Sequence, residues 1–379
     1  MSDITIIITD PNTRKSFDLY NILCKHGYQV DIFSSSGVFQ NILFRIVYGQ
    51  KVNSWHKEGV KKSLQAMLEN ERCKYVYFPV EESTTKFIYD FIITNNASNL
   101  YYLLPPKESF DAVRDKGSFS EYCSRNNFPI PKEFKSESLV EAGDLPCRLI
   151  IKPRVGSGSF GILYIDSFHE FIQLTNINFD EFIIQERLEN SKDIYGAFFL
   201  FNGGKFASYY GHKRIRTYPP EGGVTVFSKS DLNDELMLIG SKLLESLNWS
   251  GLAMIEFLYD RKTDSFKIIE VNPRVWGSIM LSEFCESNMI ENYIRLSVGC
   301  NLIESTAKQG KFIRWFFPWD VLLFLKRKGR IANFWEFNSK DTCYINFSYA
   351  PWCRGFLFLI FNIISFDNIK KFFKKTFGK

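Results

Sequence analysis

Residues 252–259, LAMIEFLY, and 266–272, FKIIEVN, flank the polar segment Asp260-Arg261-Lys262-Thr263-Asp264. Two apolar runs of strand type around a short polar turn predict a β-hairpin. A hairpin symmetric about Thr263 sets Glu256 directly opposite Glu270, with Asn272 on the same face two residues on. Like charges directly opposite are destabilising, and the apolar strands add a desolvation cost. Either one acid is protonated or a cation sits between them. Two carboxylates and an amide oxygen are hard ligands, suited to Mg2+ shared with nucleotide phosphates. Arg274, in Asn272-Pro273-Arg274, could clamp a transferring phosphoryl group from the same side.

A second stretch supplies the phosphate side. Residues 149–165 read LIIKPRVGSGSFGILYI. Gly156, Gly158 and Gly161 satisfy G-x-G-x-x-G, but the loop is followed by a strand-type run, Ile162–Ile165. A dinucleotide fingerprint must open a helix, and a P-loop needs Lys-Ser/Thr after its last glycine. Strand, glycine loop, strand remains: a flap whose backbone N–H groups can approach phosphate oxygens. Lys152 lies in the entering strand, where an embedded lysine needs an anionic partner. A paired-acid glycosidase would explain the two glutamates but neither Lys152 nor the flap.

The flanks have different character. Ile4–Thr9, Gln29–Phe33, Tyr75–Val80 and Tyr101–Leu104 read as buried strands separated by helical patterns, the first helix running from Asp10-Pro11-Asn12 to about Lys25. This is a βαβ, Rossmann-like unit. Its first βα turn lacks the glycines of a dinucleotide site. Leu104-Pro105-Pro106 marks a boundary, and the chain then becomes an α+β mixture. From about residue 304 it turns aromatic and basic.

With these pieces in order the chain resembles the ATP-grasp family of carboxylate–amine ligases over roughly residues 107–300, with IIEVNPR at 268–274 the most specific match. The resemblance implies a fold class of α/β plus α+β: a Rossmann-like domain at 1–106, an ATP-grasp domain at 107–303 with nucleotide between its two subdomains, and a C-terminal extension at 304–379. It implies ATP and Mg2+ as cofactors, with one or two ions and Mn2+ as a substitute. Lys116 and Lys152 are then the lysines of the ATP phosphates. The flap is Gly156, Ser157, Gly158, Ser159 and Gly161. Gln185, Glu186 and Leu188 of FIIQERL (182–188) border adenine, and Asp193 meets the ribose. Glu256, Glu270 and Asn272 hold metal, and Arg274 and Lys152 act on the transferred group. The implied reaction activates a carboxylate as an acylphosphate, which an amine then attacks to give an amide. The alternatives are a bicarbonate-using carboxylase of the same family and a non-catalytic nucleotide-binding or membrane-associated protein.

Residues 209–225, YYGHKRIRTYPPEGGVT, concentrate positive charge. Strand alternation puts His212, Arg214 and Arg216 on one face, and Arg216 is the expected substrate contact. The eight cysteines form no C-x-x-C pair, and only four histidines are present. Zinc is therefore not expected. The N-terminus has no secretory character, so a cytoplasmic protein with reduced, buried thiols is expected.

The net charge is +5. Residues 354–379 hold six basic groups against Asp367 alone, so the whole excess sits there. Residues 367–379, DNIKKFFKKTFGK, read as a basic amphipathic helix. That helix, with the apolar run before it, makes 355–379 a candidate peripheral contact with an anionic membrane. A membrane contact would suit a glycan-linked or envelope-precursor substrate. No nucleic-acid module is recognisable.

Overall fold

The structure, a computed structural model, describes residues 4–36, 38–54, 64–65, 73–95, 98–156, 161–174, 177–188, 193–220, 223–332, 334–336 and 340–364. Ser157, Gly158, Ser159 and the basic tail 367–379 lie outside these residues.

Five parallel strands open the chain: β1 (Ile4–Thr9), β2 (Gln29–Ser34), β3 (Val52–Ser54), β4 (Lys74–Tyr77) and β5 (Leu100–Tyr101), in the order β3-β2-β1-β4-β5. Every residue of β1 is buried, as its unbroken apolar run requires of a central parallel strand. The helix Arg14–Lys25 starts where Thr13 caps the Ser16 N–H. The strand β3 escapes the sequence reading because three residues containing Asn53 and Ser54 carry no period.

A four-stranded sheet follows: β6 (Glu133–Phe134), β7 (Leu149–Pro153), β8 (Leu163–Ile165) and β9 (Phe182–Glu186), in the order β6-β9-β7-β8. The strands β7 and β8 pair antiparallel, Ile150 opposite Tyr164, so the glycine loop joins two strands as expected.

The largest sheet has seven strands: β10 (Ile194–Asn202), β11 (Lys205–Tyr218), β12 (Val224–Ser230), β13 (Gly251–Asp260), β14 (Ser265–Asn272), β15 (Phe312–Arg314) and β16 (Thr342–Tyr344), in the order β14-β13-β10-β11-β12-β15-β16. The last two come from the aromatic, basic segment, which completes this sheet rather than standing apart from it. The helix Trp352–Ile364 then packs on the helix Val38–Tyr48, with Phe358 stacked on Phe17. One apolar core consequently runs from Ile6 and Phe17 through Tyr210 and Trp276 to Ile313 and Phe358.

Among the described residues no helix is long and apolar enough to cross a membrane. The cysteines are all free. Cys123, Cys285 and Cys343 are buried, and burial pushes their thiols up to about 12. Cys24, Cys300 and Cys353 are exposed, so the expectation of uniformly buried thiols is corrected.

Candidate active site

The acid pair is where the hairpin reading put it, by a route the reading did not foresee. At the turn Asp260 faces Ser265 and Phe257 faces Ile268, one residue out of step with symmetry about Thr263. A β-bulge between Glu256 and Phe257 restores the step, and Glu256 faces Glu270 while Met254 faces Asn272. The row continues across the sheet. Glu256 faces Gly196, Gly196 faces His212, and His212 faces Ser230. Gly196 leaves a notch in the middle of that row. A Cβ there would stand 2.9 Å from His212 Nε2 and 2.8 Å from Phe198 Cζ.

Each acid has a polar neighbour. Arg214 donates to Glu256, and Asn272 Nδ2 donates to Glu270 Oε1 at 2.9 Å. Burial raises the Glu256 carboxyl above its ordinary range. The Glu270 charge adds to that rise and Arg214 opposes it. Arg274 is held on every side: Nη2 donates to Asn272 Oδ1 at 2.7 Å, Nη1 to the Val275 carbonyl at 3.2 Å, and Nε to Glu82 at 3.3 Å. Glu82 also accepts from Arg114 at 3.3 Å. It belongs to the first 106 residues and carried no motif signal, because its partners are 32 and 192 positions away.

The acids share one cavity of about 300 Å3 with Lys116, Lys152, Gly156, Arg214 and Arg274. Lys152 is buried on β7, and burial lowers its ammonium to about 8 against the opposing pull of Glu270. Lys116 begins the helix Lys116–Arg125 behind the Asp115 cap, and its Nζ donates to the Gly156 carbonyl at 2.9 Å. Arg154 grips Asp115 through two hydrogen bonds of 3.0 and 2.7 Å, tying the loop's entry to that helix. Gly156 and Gly161 have φ of 149° and 73°, a backbone that side-chain-bearing residues rarely adopt.

The remaining expected residues lie off this cavity's lining. Gln185 and Glu186 stand on β9, next to β7, and Leu188 follows them. Gln185 is buried with its Oε1 unpartnered, and Glu186 accepts from the Lys132 N–H at 2.8 Å. Asp193 is tied to Lys213 at 3.0 Å and Arg261 at 2.8 Å. Burial alone would raise its carboxyl, and those two cations hold it below the ordinary range.

Arg216 requires a correction. The strand β11 is irregular on both sides of it, with Arg214 opposite Ser228 but Arg216 opposite Phe227. Alternation breaks at the bulge, so the two arginines do not share a site. Arg214 joins the cavity, whereas Arg216 binds Asp320 through two hydrogen bonds of 2.8 and 2.7 Å and lies over the Phe227 ring. The cavity also takes in His212, Trp276, Ser278 and, from the N-terminal segment, Arg14.

Two carboxylates, an amide and two lysines around Gly156 suit a nucleotide polyphosphate with a hard divalent cation. Among the described residues no three His, Cys, Asp or Glu side chains converge. Phosphate oxygens or water would therefore complete the coordination of any such ion.

The sequence model of the ATP-grasp domain matches residues 113–278. Biotin carboxylase from Campylobacter jejuni, solved with β,γ-ATP, superimposes with a TM-score of 0.62 at 14% identity, covering 82% of this chain and 74% of that one. The biotin carboxylase domain of 2-oxoglutarate carboxylase from Hydrogenobacter thermophilus gives 0.62 at 11% identity, over 82% and 73%. N5-carboxyaminoimidazole ribonucleotide synthetase from Thermotoga maritima gives 0.54 at 16%, over 81% and 78%. At these identities the likeness concerns the fold. No curated protein sequence matches. The acid-paired hairpin and the lysine-bearing strand before the glycine loop, which build most of this cavity, lie within the matched stretch: residues 113–278 match an ATP-grasp domain, and the chain has the ATP-grasp fold.

Proposed function

We propose that the protein is an ATP- and Mg2+-dependent ligase that activates a substrate carboxylate as an acylphosphate and joins it to an amine. The observation that carries this reading is the charge balance of one cavity. Among its lining residues Arg14, Lys116, Lys152, Arg214 and Arg274 outnumber Glu256 and Glu270; even with Glu82 paired to Arg274 from outside the lining, an excess remains that a polyphosphate and a carboxylate would neutralise. Phosphoryl transfer needs positioning and charge neutralisation rather than a covalent nucleophile. Bound Mg2+ would supply that neutralisation, held by Glu256, Glu270 and Asn272. Lys116, Lys152 and the loop from Gly156 to Gly161 would hold the phosphates. Gln185, Glu186 and Leu188 would flank the base, with Asp193 at the ribose. Arg274 would bear on the transferred group, and Arg214 takes the substrate role that spacing suggested for Arg216. Residues 1–106, 107–303 and 304–379 would be the units of this enzyme.

The test is ADP release with Mg2+ across a panel of amino acids, uronic acids, short peptides and bicarbonate, each with and without an amine. Release that needs both a carboxylate and an amine supports amide formation. Release with bicarbonate alone moves the reading to a carboxylase. Nucleotide binding without release under any condition removes the enzyme reading.

We also infer a peripheral membrane contact through 355–379, which would suit an envelope or glycan precursor as substrate. It rests on the clustered lysines and on the exposed rings of Trp352 and Phe356 at the head of the last described helix. The full chain should co-sediment with anionic vesicles and a chain ending at Ser365 should not. Equal binding overturns the inference.

A further inference from the structure

Three side chains that line the cavity each keep a buried nitrogen without a partner: Arg14 Nη1, Arg214 Nε and His212 Nε2. The ring of Trp315 lies 3.8 Å beneath the Arg14 guanidinium, and its indole N–H is likewise buried and unpartnered. Buried polar groups are nearly always satisfied, so three orphans on one cavity's lining and a fourth beneath Arg14 need an explanation. The two arginine nitrogens and the indole can only donate. His212 joins them when its Nδ1 accepts from Ser278 Oγ, 3.3 Å away, which leaves the proton on Nε2. Unpartnered donors that share one cavity want oxygen acceptors.

Arg14 also lacks what several other arginines have. Arg114, Arg154, Arg214, Arg216, Arg274 and Arg314 each meet a carboxylate. Among the described residues no carboxylate stands within ion-pair distance of Arg14, although Asp18 acts on it from one helical turn away. Burial drives the Asp18 carboxyl up to about 7, which weakens it as a counter-ion at neutral pH. A partly buried cation without a paired anion still carries a desolvation cost. The fold nevertheless makes room for it: a Cβ on Gly277 would run into Arg14 Nη2. The cation therefore has a prepared place, with only the partly ionised Asp18 one turn away as a resident counter-ion.

We propose that Arg14, with Arg214, His212 and Trp315, forms a subsite for a second oxyanion, the carboxylate or phosphate that the ligase substrate carries besides the group it has activated. The subsite draws on the N-terminal segment, the central sheet and the C-terminal segment at once. The substrate class is then an acid with at least two anionic groups. The proposal rests on the ligase reading above.

The experiment uses the full chain loaded with Mg2+ and a non-hydrolysable ATP analogue, so that the phosphate lysines are already engaged. Malonate and inorganic phosphate are titrated separately by calorimetry. Saturable binding of either is expected, and the tighter of the two tells a carboxylate from a phosphate. Arg14→Gln should weaken that binding about tenfold or more, and Arg14→Lys, which keeps the charge and loses the fork, by less. Affinity for the ATP analogue should not change in either variant. Unaltered anion affinity in Arg14→Gln overturns the subsite, as does absence of anion binding to the loaded protein. If the variants lose analogue affinity and thermal stability together, Arg14 is structural and the proposal also fails. If the analogue does not bind the wild-type chain, the ligase reading fails. The same titrations on the nucleotide-free protein then judge the subsite separately.

Discussion

Replacing Glu270 by Gln should abolish Mg2+-dependent ADP release and leave the chain folded. The substitution preserves size and keeps an oxygen to accept from Asn272 Nδ2, as Glu270 does. It removes one of two like charges that face each other across β13 and β14. Folding stability should therefore hold or rise by up to about 1 kcal/mol, the scale of a cross-strand charge pair. Activity should fall by about a thousandfold, because the Mg2+ that would neutralise the transferring group loses a carboxylate ligand. Turnover above a tenth of wild type in Glu270→Gln would remove the metal role from this residue. Glu256→Gln should behave differently. It also weakens metal binding, but it deprives the largely buried Arg214 of its carboxylate and should lower stability as well. Urea unfolding beside ADP release separates the two cases.

Asp320→Ala should be the most damaging single change outside the cavity. Asp320 is fully buried and accepts from Arg216 at 2.8 and 2.7 Å and from Arg314 at 2.8 Å. Arg314 is 1% exposed, so little water can replace the lost carboxylate. Breaking such a group by removing one partner costs about 3–5 kcal/mol, since two buried cations are left uncompensated. The urea midpoint should drop accordingly without a change in slope. Arg216→Ala should cost less, because Asp320 keeps Arg314. It should also leave the affinity for the ATP analogue unchanged. A variant that lost substrate affinity at wild-type stability would return Arg216 to the substrate site.

Much of this site could be read along the chain because its chemistry is local. Lys152 and its glycine loop lie on neighbouring strands, and Glu256, Glu270 and Asn272 lie on the two arms of one hairpin. Apolar runs interrupted by charges announce such arrangements, since an embedded charge needs a reason. Arg216 shows where this fails. Alternation assumes an unbroken pleat, and an irregular register on either side of Arg216 sends it to Asp320, 104 positions away. The same kind of irregularity brought Glu256 and Glu270 into line from a turn that was one residue off.

Strand periodicity and the spacing of a few charged residues were enough to reach the βαβ unit and the acid pair, because those features depend on contacts between neighbours in sequence, and the motif resemblance supplied the rest of the fold class. The strands β15 and β16 were not legible. They are three residues each and bury only when a sheet edge some 80 positions earlier is there to receive them. The Arg14 corner is of the same kind. An arginine near the start of the chain, a glycine in the hairpin's exit and a tryptophan at 315 meet only because one core closes over all three segments. Long-range burial decides which charges lose their water, and that depends on the whole packed chain rather than on any stretch of it.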